Sequence, residues 1–263
     1  AVRGVPRHVL DMASGLDLER FEVEVLTGRI EKGEGDLSEQ VRERGLVLHR
    51  VPSLQREIDL FRDISAQRSI FRIVANGSYD IVHTHISKAG ILGRLAARWA
   101  KVPVVLHTYH GLVDEVVSPS IKGEIFRFCE RRAAGWSDAL VAVSGHVARQ
   151  WQDISVGMGG QYRVVPNGID TDHFAGAEGL ALAGDPALVV VASLTREKGV
   201  DVLLRAMSSV IAEFPESELY VVGDGPLRSS LEGLASELNL HSGVHFVGIQ
   251  SDVRPYLAAC DLA

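Results

Sequence analysis

The stretch ALVVVASLTREKGVDVLLRAM, residues 187–207, decides the fold class. Ala187 to Ala192 is a nearly continuous apolar run, the pattern of a parallel strand buried on both faces. The period then changes. Val200, Leu203, Leu204, Met207 and Ile211 recur at i, i+3, i+4, i+7 and i+11, the buried stripe of an amphipathic helix. Lys198 and Gly199 stand at the junction. The first turn of a helix offers unpaired N–H groups and the positive end of its dipole. Gly199 lets an anion approach the backbone and Lys198 adds a full charge, the layout of a phosphate site at the carboxyl end of a strand. The same spacing fits an ordinary βα loop with a solvated lysine.

Outward from this junction, apolar runs and helical stripes alternate along the chain. Strands are predicted at 22–26, 46–51, 80–84, 102–108, 138–143, 162–165, 187–193, 218–223 and 244–248. Helices are predicted at 7–17, 36–44, 58–76, 88–100, 120–134, 144–154, 198–213, 226–239 and 252–258. This rhythm means α/β architecture with parallel sheets and crossover helices. It breaks once, in the Gly-, Ala- and Asp-rich run between Pro166 and Pro186. The expectation is two doubly wound domains: residues 1–168, a linker over 169–186, and an incomplete second domain over 187–263.

Composition supports this. The 263 residues are 46% hydrophobic and 23% charged, enough for two cores. The net charge of −7 is uneven: residues 1–165 carry 22 Lys and Arg against 20 Asp and Glu, residues 166–263 only 5 against 14. An acidic second half argues against a nucleic-acid partner and singles out Arg196 and Lys198. Cys129 and Cys260 lack metal-type spacing and read as buried thiols of a reducing compartment, so a cytoplasmic location is expected, with the inner face of the membrane as a variant. No apolar run is long enough to span a bilayer. The chain starts without Met and stops at what looks like the opening of a strand, so both ends are expected to be cut.

Several residues are placed where chemistry collects. Gly4 precedes a helix with Val9, Leu10 and Ala13 inward; a glycine loop there suits a phosphate, and also a simple turn. His83 and His85 share one face of a strand, but no third ligand follows in a metal-type pattern, so no metal is expected. His107 and His110 end the next apolar strand. His110 is suited to donating to a phosphate or polarising a sugar hydroxyl, while His107 reads as a hydrogen-bonded core residue. Gly223, in the strand-end run VGDGP, and Ile249, after Gly248, are candidate nucleotide contacts; Pro226 fits a first helical position. Arg56, Arg62, Arg68 and Arg72 accompany Leu60, Ile64, Phe71 and Val74, a pattern of either a solvated helix face or a peripheral membrane contact.

Seven segments together resemble the retaining GT-B glycosyltransferases of family 4: GVPRHVLDMASGL, DIVHTHISKAGILGRLAARWAKVPVVLHTYHG, DALVAVSGHVARQ, VVPNGID, LTREKGVDVLLRA, VVGDGPLR and FVGIQSDVRPYLAACDLA. They run in family order over essentially the whole chain. The resemblance implies two Rossmann-like domains, the first binding an acceptor and the second a nucleotide-sugar. It implies that Lys198 binds the donor diphosphate, that His110 sits by the transferred sugar, and that the Gly4 loop packs against the diphosphate. Three departures stand out. Ala192-Ser193-Leu194 replaces the family's Gly-Arg-Leu, so its phosphate-gripping arginine is missing, with Arg196 a substitute or a surface residue. Arg3-Gly4 is one glycine short, and the chain ends before the family's Glu-x(7)-Glu segment.

The implied reaction moves a sugar from a nucleoside-diphosphate donor, UDP-sugar by default, to a hydroxyl of a glycan, glycolipid or small-molecule acceptor with retained anomeric configuration. No metal or other cofactor is expected if protein cations neutralise the leaving diphosphate. Two rivals share the architecture: a nucleotide-sugar epimerase, which turns over donor without acceptor, and an inactive nucleotide-binding remnant.

Overall fold

The computed structural model describes residues 4–30 and 35–263. They fall into two compact units that divide after Gly168. In the first unit, β1 (Glu24–Thr27) and β2 (Val47–Arg50) pair in parallel. A separate four-stranded parallel sheet follows in the order β3 (Ile81–His85), β4 (Val104–Tyr109), β5 (Ala139–Ala142), β6 (Tyr162–Val164). Parallel neighbours need crossovers. α2 (Ser38–Glu43), α4 (Ser87–Ala100), α5 (Asp114–Val117) with α6 (Ile121–Ala134), and α7 (Gly145–Asp153) supply them, while α1 (Gly4–Gly15) precedes β1 and α3 (Leu60–Gly77) joins the two sheets.

Local chemistry sets the helix ends. The side chains of Asp59, Ser120 and Ser144 accept from the N–H groups of Arg62, Gly123 and Val147, so α3, α6 and α7 each begin on a side-chain cap. Ser78 and Lys101 close α3 and α4 in the left-handed conformation. The sheet buries its apolar faces against these helices. Leu140 and Ala142 are fully buried, and Trp151 of α7 stacks on Tyr109 of β4 with ring centroids 4.1 Å apart.

The second unit contains α8 (Thr171–Ala175), β7 (Ala187–Val191), α9 (Val200–Glu213), β8 (Glu218–Val222), α10 (Arg228–Glu237), β9 (Val244–Gly248) and α11 (Arg254–Ala259). Its parallel sheet has the order β7-β8-β9, and Leu262 forms a further parallel bridge with Leu188. Val200, Leu204 and Met207 are the buried stripe of α9, with Leu203 and Ile211 partly buried beside them.

Several boundaries differ from the sequence reading. Gly4 is the first residue of α1 and not part of a loop before it. The strand predicted over 187–193 ends at Val191, and the Ala192 N–H supplies its last ladder bond, to the Val222 carbonyl at 3.0 Å. Lys198 lies in a separate 3₁₀ turn, Arg196–Lys198, and α9 starts only after Gly199 takes the left-handed conformation at φ 63°. Pro226 sits in a turn, and α10 begins at Arg228. The inward face of α3 is Ala66, Gln67, Ile70 and Val74, leaving Leu60 and Ile64 exposed. Both cysteines are free and only half-buried.

The segment read as a linker, 169–186, carries α8 and is tied to the second unit. Leu180 N–H donates to the Pro255 carbonyl at 3.1 Å, Asp185 N–H to the Glu216 carbonyl at 2.9 Å, and Arg254 Nη1 to the His173 carbonyl at 3.1 Å.

Candidate active site

In both units the chemistry-bearing side chains collect at the carboxyl ends of parallel strands, where sheet sites form. In the first unit, strand alternation puts His83 and His85 on one face of β3 and Thr84 on the other. Thr84 reaches His107 Nδ1 at 2.8 Å, and His107 is fully buried. His107 is therefore a hydrogen-bonded core residue, packed so closely that a Cβ on Gly90 of α4 would stand 2.4 Å from its Cε1. On the other face, His83 Nε2 meets Thr108 Oγ1 at 2.7 Å. His85 Nδ1 meets His110 Nε2 at 3.1 Å, just past the end of β4.

A further imidazole joins them. His8, one turn into α1, places its ring edge-on to His110 and His85, with centroids 5.2 and 6.0 Å away. His8, His85 and His110 each offer a nitrogen within 4.8 Å of the other two. No third ligand was expected for His83 and His85 as a pair, and the structure instead brings His85 together with His8 and His110. The grouping is tertiary and excludes both His83 and His107. The one sequence signal for His8 was its position on the first turns of the helix that Gly4 opens.

Burial keeps His83, His85 and His110 uncharged at neutral pH. It pushes His110 down to about 4, with His8 adding to the effect. His83 falls to about 4 and His85 to about 2, first by burial and then by the neighbouring imidazoles. Ile86, between His85 and α4, holds φ 55° and ψ 163°, a conformation rare for a β-branched residue. Among the described residues, nothing lies within 4 Å of where a Cβ on Gly4 would stand. Arg3, its neighbour in the sequence reading, lies outside the described residues.

Beneath this face lies an ionic network. Arg94 of α4 donates from Nη2 to Glu130 Oε2 of α6 at 2.7 Å, and from Nε to the Gly90 carbonyl at 3.0 Å. Tyr109 OH donates to the same Glu130 oxygen at 3.1 Å. Arg94 and Glu130 are fully buried.

In the second unit the loops after β7 and β8 are zipped together. Leu194 N–H donates to the Asp224 carbonyl at 3.1 Å, Leu227 N–H to the Leu194 carbonyl at 3.1 Å, and Gly223 N–H to the Gly248 carbonyl at 2.9 Å. Gly223, at φ 143°, is pressed so close that a Cβ would lie 1.9 Å from the Ala192 carbonyl oxygen. Glycine is required there for backbone packing. Ile249 follows Gly248 as an exposed apolar residue at the end of β9. Arg196 and Lys198 are exposed on the 3₁₀ turn at the mouth of α9, and Ser193 stands exposed just before them. Arg228 is held by Asp224 and Glu232, and Arg254 by Asp252. Among the described residues no ion pair engages Arg196 or Lys198.

Residues 2–173 match the model of Glycosyltransferase Family 4, and residues 185–263 match that of the glycosyl transferases group 1. The chain belongs to glycosyltransferase family 4. A UDP-Gal:alpha-D-GlcNAc-diphosphoundecaprenol alpha-1,3-galactosyltransferase of Escherichia coli is 28% identical over 98% of the chain and 69% of its own length. A phosphatidyl-myo-inositol mannosyltransferase of Mycobacterium tuberculosis (strain CDC 1551 / Oshkosh) is 30% identical over 72% of the chain and 48% of its own length, so the chain spans about half of that relative. Among solved structures, Anabaena HepE in complex with UDP superposes over 99% of the chain and 70% of its own, with a TM-score of 0.76 at 16% identity. This likeness establishes the GT-B fold, two Rossmann-like parallel-sheet domains, for the family 4 chain.

Proposed function

We propose that this family 4 chain serves transfer of a sugar from a nucleoside-diphosphate donor, UDP-sugar by default, to a hydroxyl of a lipid-linked or other glycan acceptor, with the anomeric configuration retained. One observation carries the reading. Lys198 and Arg196 are exposed cations at the end of β7, free of ion pairs among the described residues, in a half of the chain that is otherwise strongly acidic. A dianionic diphosphate is the ligand such a site would favour. Relatives act on comparable partners: the Escherichia coli protein is named for UDP-Gal and a diphosphoundecaprenol acceptor, and the mycobacterial one for phosphatidyl-myo-inositol.

In this reading Lys198, Arg196 and the backbone at Gly199 take the diphosphate. Gly223 shapes the floor, and Ile249 lies against the base. Charge grows on the diphosphate as the glycosidic bond breaks, so a fixed ammonium there stabilises the transition state more than the ground state. Losing it costs about 3 kcal/mol of barrier, roughly a hundredfold in rate. No metal takes part in the step. His110, uncharged, hydrogen-bonds the sugar hydroxyls. Attack occurs on the face the diphosphate leaves, with one of its oxygens taking the acceptor proton. Ile58, Leu60 and Phe61 are exposed beside Arg56, Arg62 and Arg68, a surface suited to anionic headgroups around a lipid-linked acceptor.

The test is calorimetric titration with UDP, ADP and GDP without metal, on the wild type and on Lys198→Ala. One nucleotide binding to the wild type and lost in the variant is the expected result. Binding of none, or binding unchanged in Lys198→Ala, overturns the assignment. Proton NMR of the product reads the anomeric outcome, and an inverted product overturns retention.

A further inference from the structure

We propose that His8, His85 and His110 form a binding site for a single divalent ion of the zinc class. The three imidazoles come from three elements, α1, the end of β3 and the residue past the end of β4, and their ligand nitrogens lie within 4.8 Å of one another. His85 Nδ1 and His110 Nε2 are 3.1 Å apart. Two nitrogens on a tetrahedral ion with bonds of 2.0–2.1 Å stand about 3.3 Å apart, so this pair already has the spacing of one tetrahedral edge. His8 is half-buried on α1 and completes the triangle, with a ring nitrogen within 4.8 Å of the other two.

The donor set selects the ion. Among the described residues no carboxylate bonds any of the three rings. Imidazole-only coordination suits Zn²⁺, Co²⁺ and Ni²⁺ and disfavours Mg²⁺ and Ca²⁺, which need oxygen ligands. Three histidines leave a fourth position for water or an anionic oxygen, the open form of a zinc site. The frame behind the ligands is fixed: His83 packs against the His85 ring at 4.4 Å and is itself held by Thr108. Binding needs no net proton release. The proton shared between His85 Nδ1 and His110 Nε2 moves to an outward-facing ring nitrogen as the metal takes both inner lone pairs. The ion is not a cofactor of the proposed transfer.

The experiment uses the untagged, chelator-stripped chain. Zn²⁺ is titrated by calorimetry, and Co²⁺ is followed by its visible d–d absorption. One ion per chain is expected, with an intense tetrahedral cobalt band that Zn²⁺ bleaches and Mg²⁺ does not. His8→Ala and, separately, His110→Asn lower the affinity by more than about tenfold, while His245→Ala, beside Glu218 in the second unit, leaves it unchanged. Zn²⁺ also raises the Tm of the wild type and not of His8→Ala, which shows that the variant is folded as well as metal-blind. No binding, a weak octahedral cobalt band, or affinity unaltered in His8→Ala overturns the proposal. None of these readouts requires nucleotide or turnover, so the site stands or falls independently of the transferase reading.

Discussion

Glu130→Gln removes one charge from a place that water does not reach. Arg94 and Glu130 have no exposed side-chain surface, and their contact is a single 2.7 Å hydrogen bond. The same carboxylate oxygen also receives Tyr109 OH, while Oε1 has no partner among the described residues. Burial works against the Arg94 charge, but Glu130 outweighs it and holds the guanidinium pKa above its usual value. Arginine does not neutralise in a protein, so the variant keeps a buried cation with no counter-charge. The glutamine oxygen can still accept a hydrogen bond from Arg94, yet its amide then faces the space where Oε1 already lacks a partner. Stranding one member of a buried pair costs about 3–5 kcal/mol, a large share of a typical domain's stability. The assay is urea unfolding followed by tryptophan fluorescence. Trp99, Trp136 and Trp151 all lie in the first unit, so the signal reports that unit alone. With an m value of about 2.5 kcal/mol per molar urea, a loss of ~4 kcal/mol lowers the midpoint by roughly 1.6 M. Replacing both partners, Arg94→Met with Glu130→Leu, recovers most of the loss, because an apolar pair carries no desolvation penalty. A midpoint shift below about 0.4 M in Glu130→Gln, or a double variant no better than the single, refutes the reasoning.

Three further outcomes are expected. Burial first, and Arg94 second, push the His107 imidazole well below its usual pKa of 6.5. The unfolded chain therefore takes up a proton near pH 6.5 that the folded chain refuses, so stability is full above that pH and falls on acidification below it. A urea midpoint in chelator that is the same at pH 7.5 and pH 5 contradicts this. Gly223→Ala forces a Cβ to within 1.9 Å of the Ala192 carbonyl oxygen at φ 143°, and the second unit loses at least about 2 kcal/mol; far-UV circular dichroism through a thermal ramp detects it, and an unchanged melting profile counts against it. Ser144→Ala deprives the Val147 N–H of its 3.1 Å acceptor and lowers first-unit stability by about 1 kcal/mol in the same fluorescence assay, whereas an effect below a few tenths means water caps α7 equally well.

The elements that were legible in the sequence are those with enough residues to show a period. β7 reads as a strand because five apolar residues follow one another, and α9 reads as a helix because its stripe repeats over three turns. The four-residue α5 and five-residue α8 contain barely one turn and carry no periodic signal, so the first fell in a gap and the second in a segment read as linker. The start of α9 depends on the left-handed conformation of Gly199, which a glycine permits but does not announce. At the site, Lys198 and His110 were visible because each ends a strand pattern. His8 was not, because its relation to His85 exists only once α1 lies beside the ends of β3 and β4. The ionic pair of Arg94 and Glu130 was equally hidden, since both sit among charged neighbours that face solvent on the same helices.

Positive φ values occur at two contrasting kinds of place in this chain. Gly45, Ser78, Lys101, Ser155 and Asn239 all adopt positive φ, and each lies just past the end of a helix. There the left-handed residue lets the chain satisfy the last helical carbonyls, so these are ordinary terminators. Ile86, Gly223 and Gly248 also adopt positive φ, but at the carboxyl ends of β3, β8 and β9, where no helix is closing. Gly223 brings its backbone against that of Ala192, which a side chain would prevent, and bridges to Gly248. Ile86 has no such excuse: a β-branched residue at φ 55° costs on the order of 1–3 kcal/mol, and it persists only where its surroundings over-determine it. What surrounds it is His85 on one side and α4 on the other, with Gly90 N–H bonded to its carbonyl at 2.9 Å. The strain is thus stored beside the imidazole that meets His110. Departures from local preference accumulate on the strand edge that carries Lys198 in one unit and the histidines in the other, the edge where parallel sheets bind their ligands.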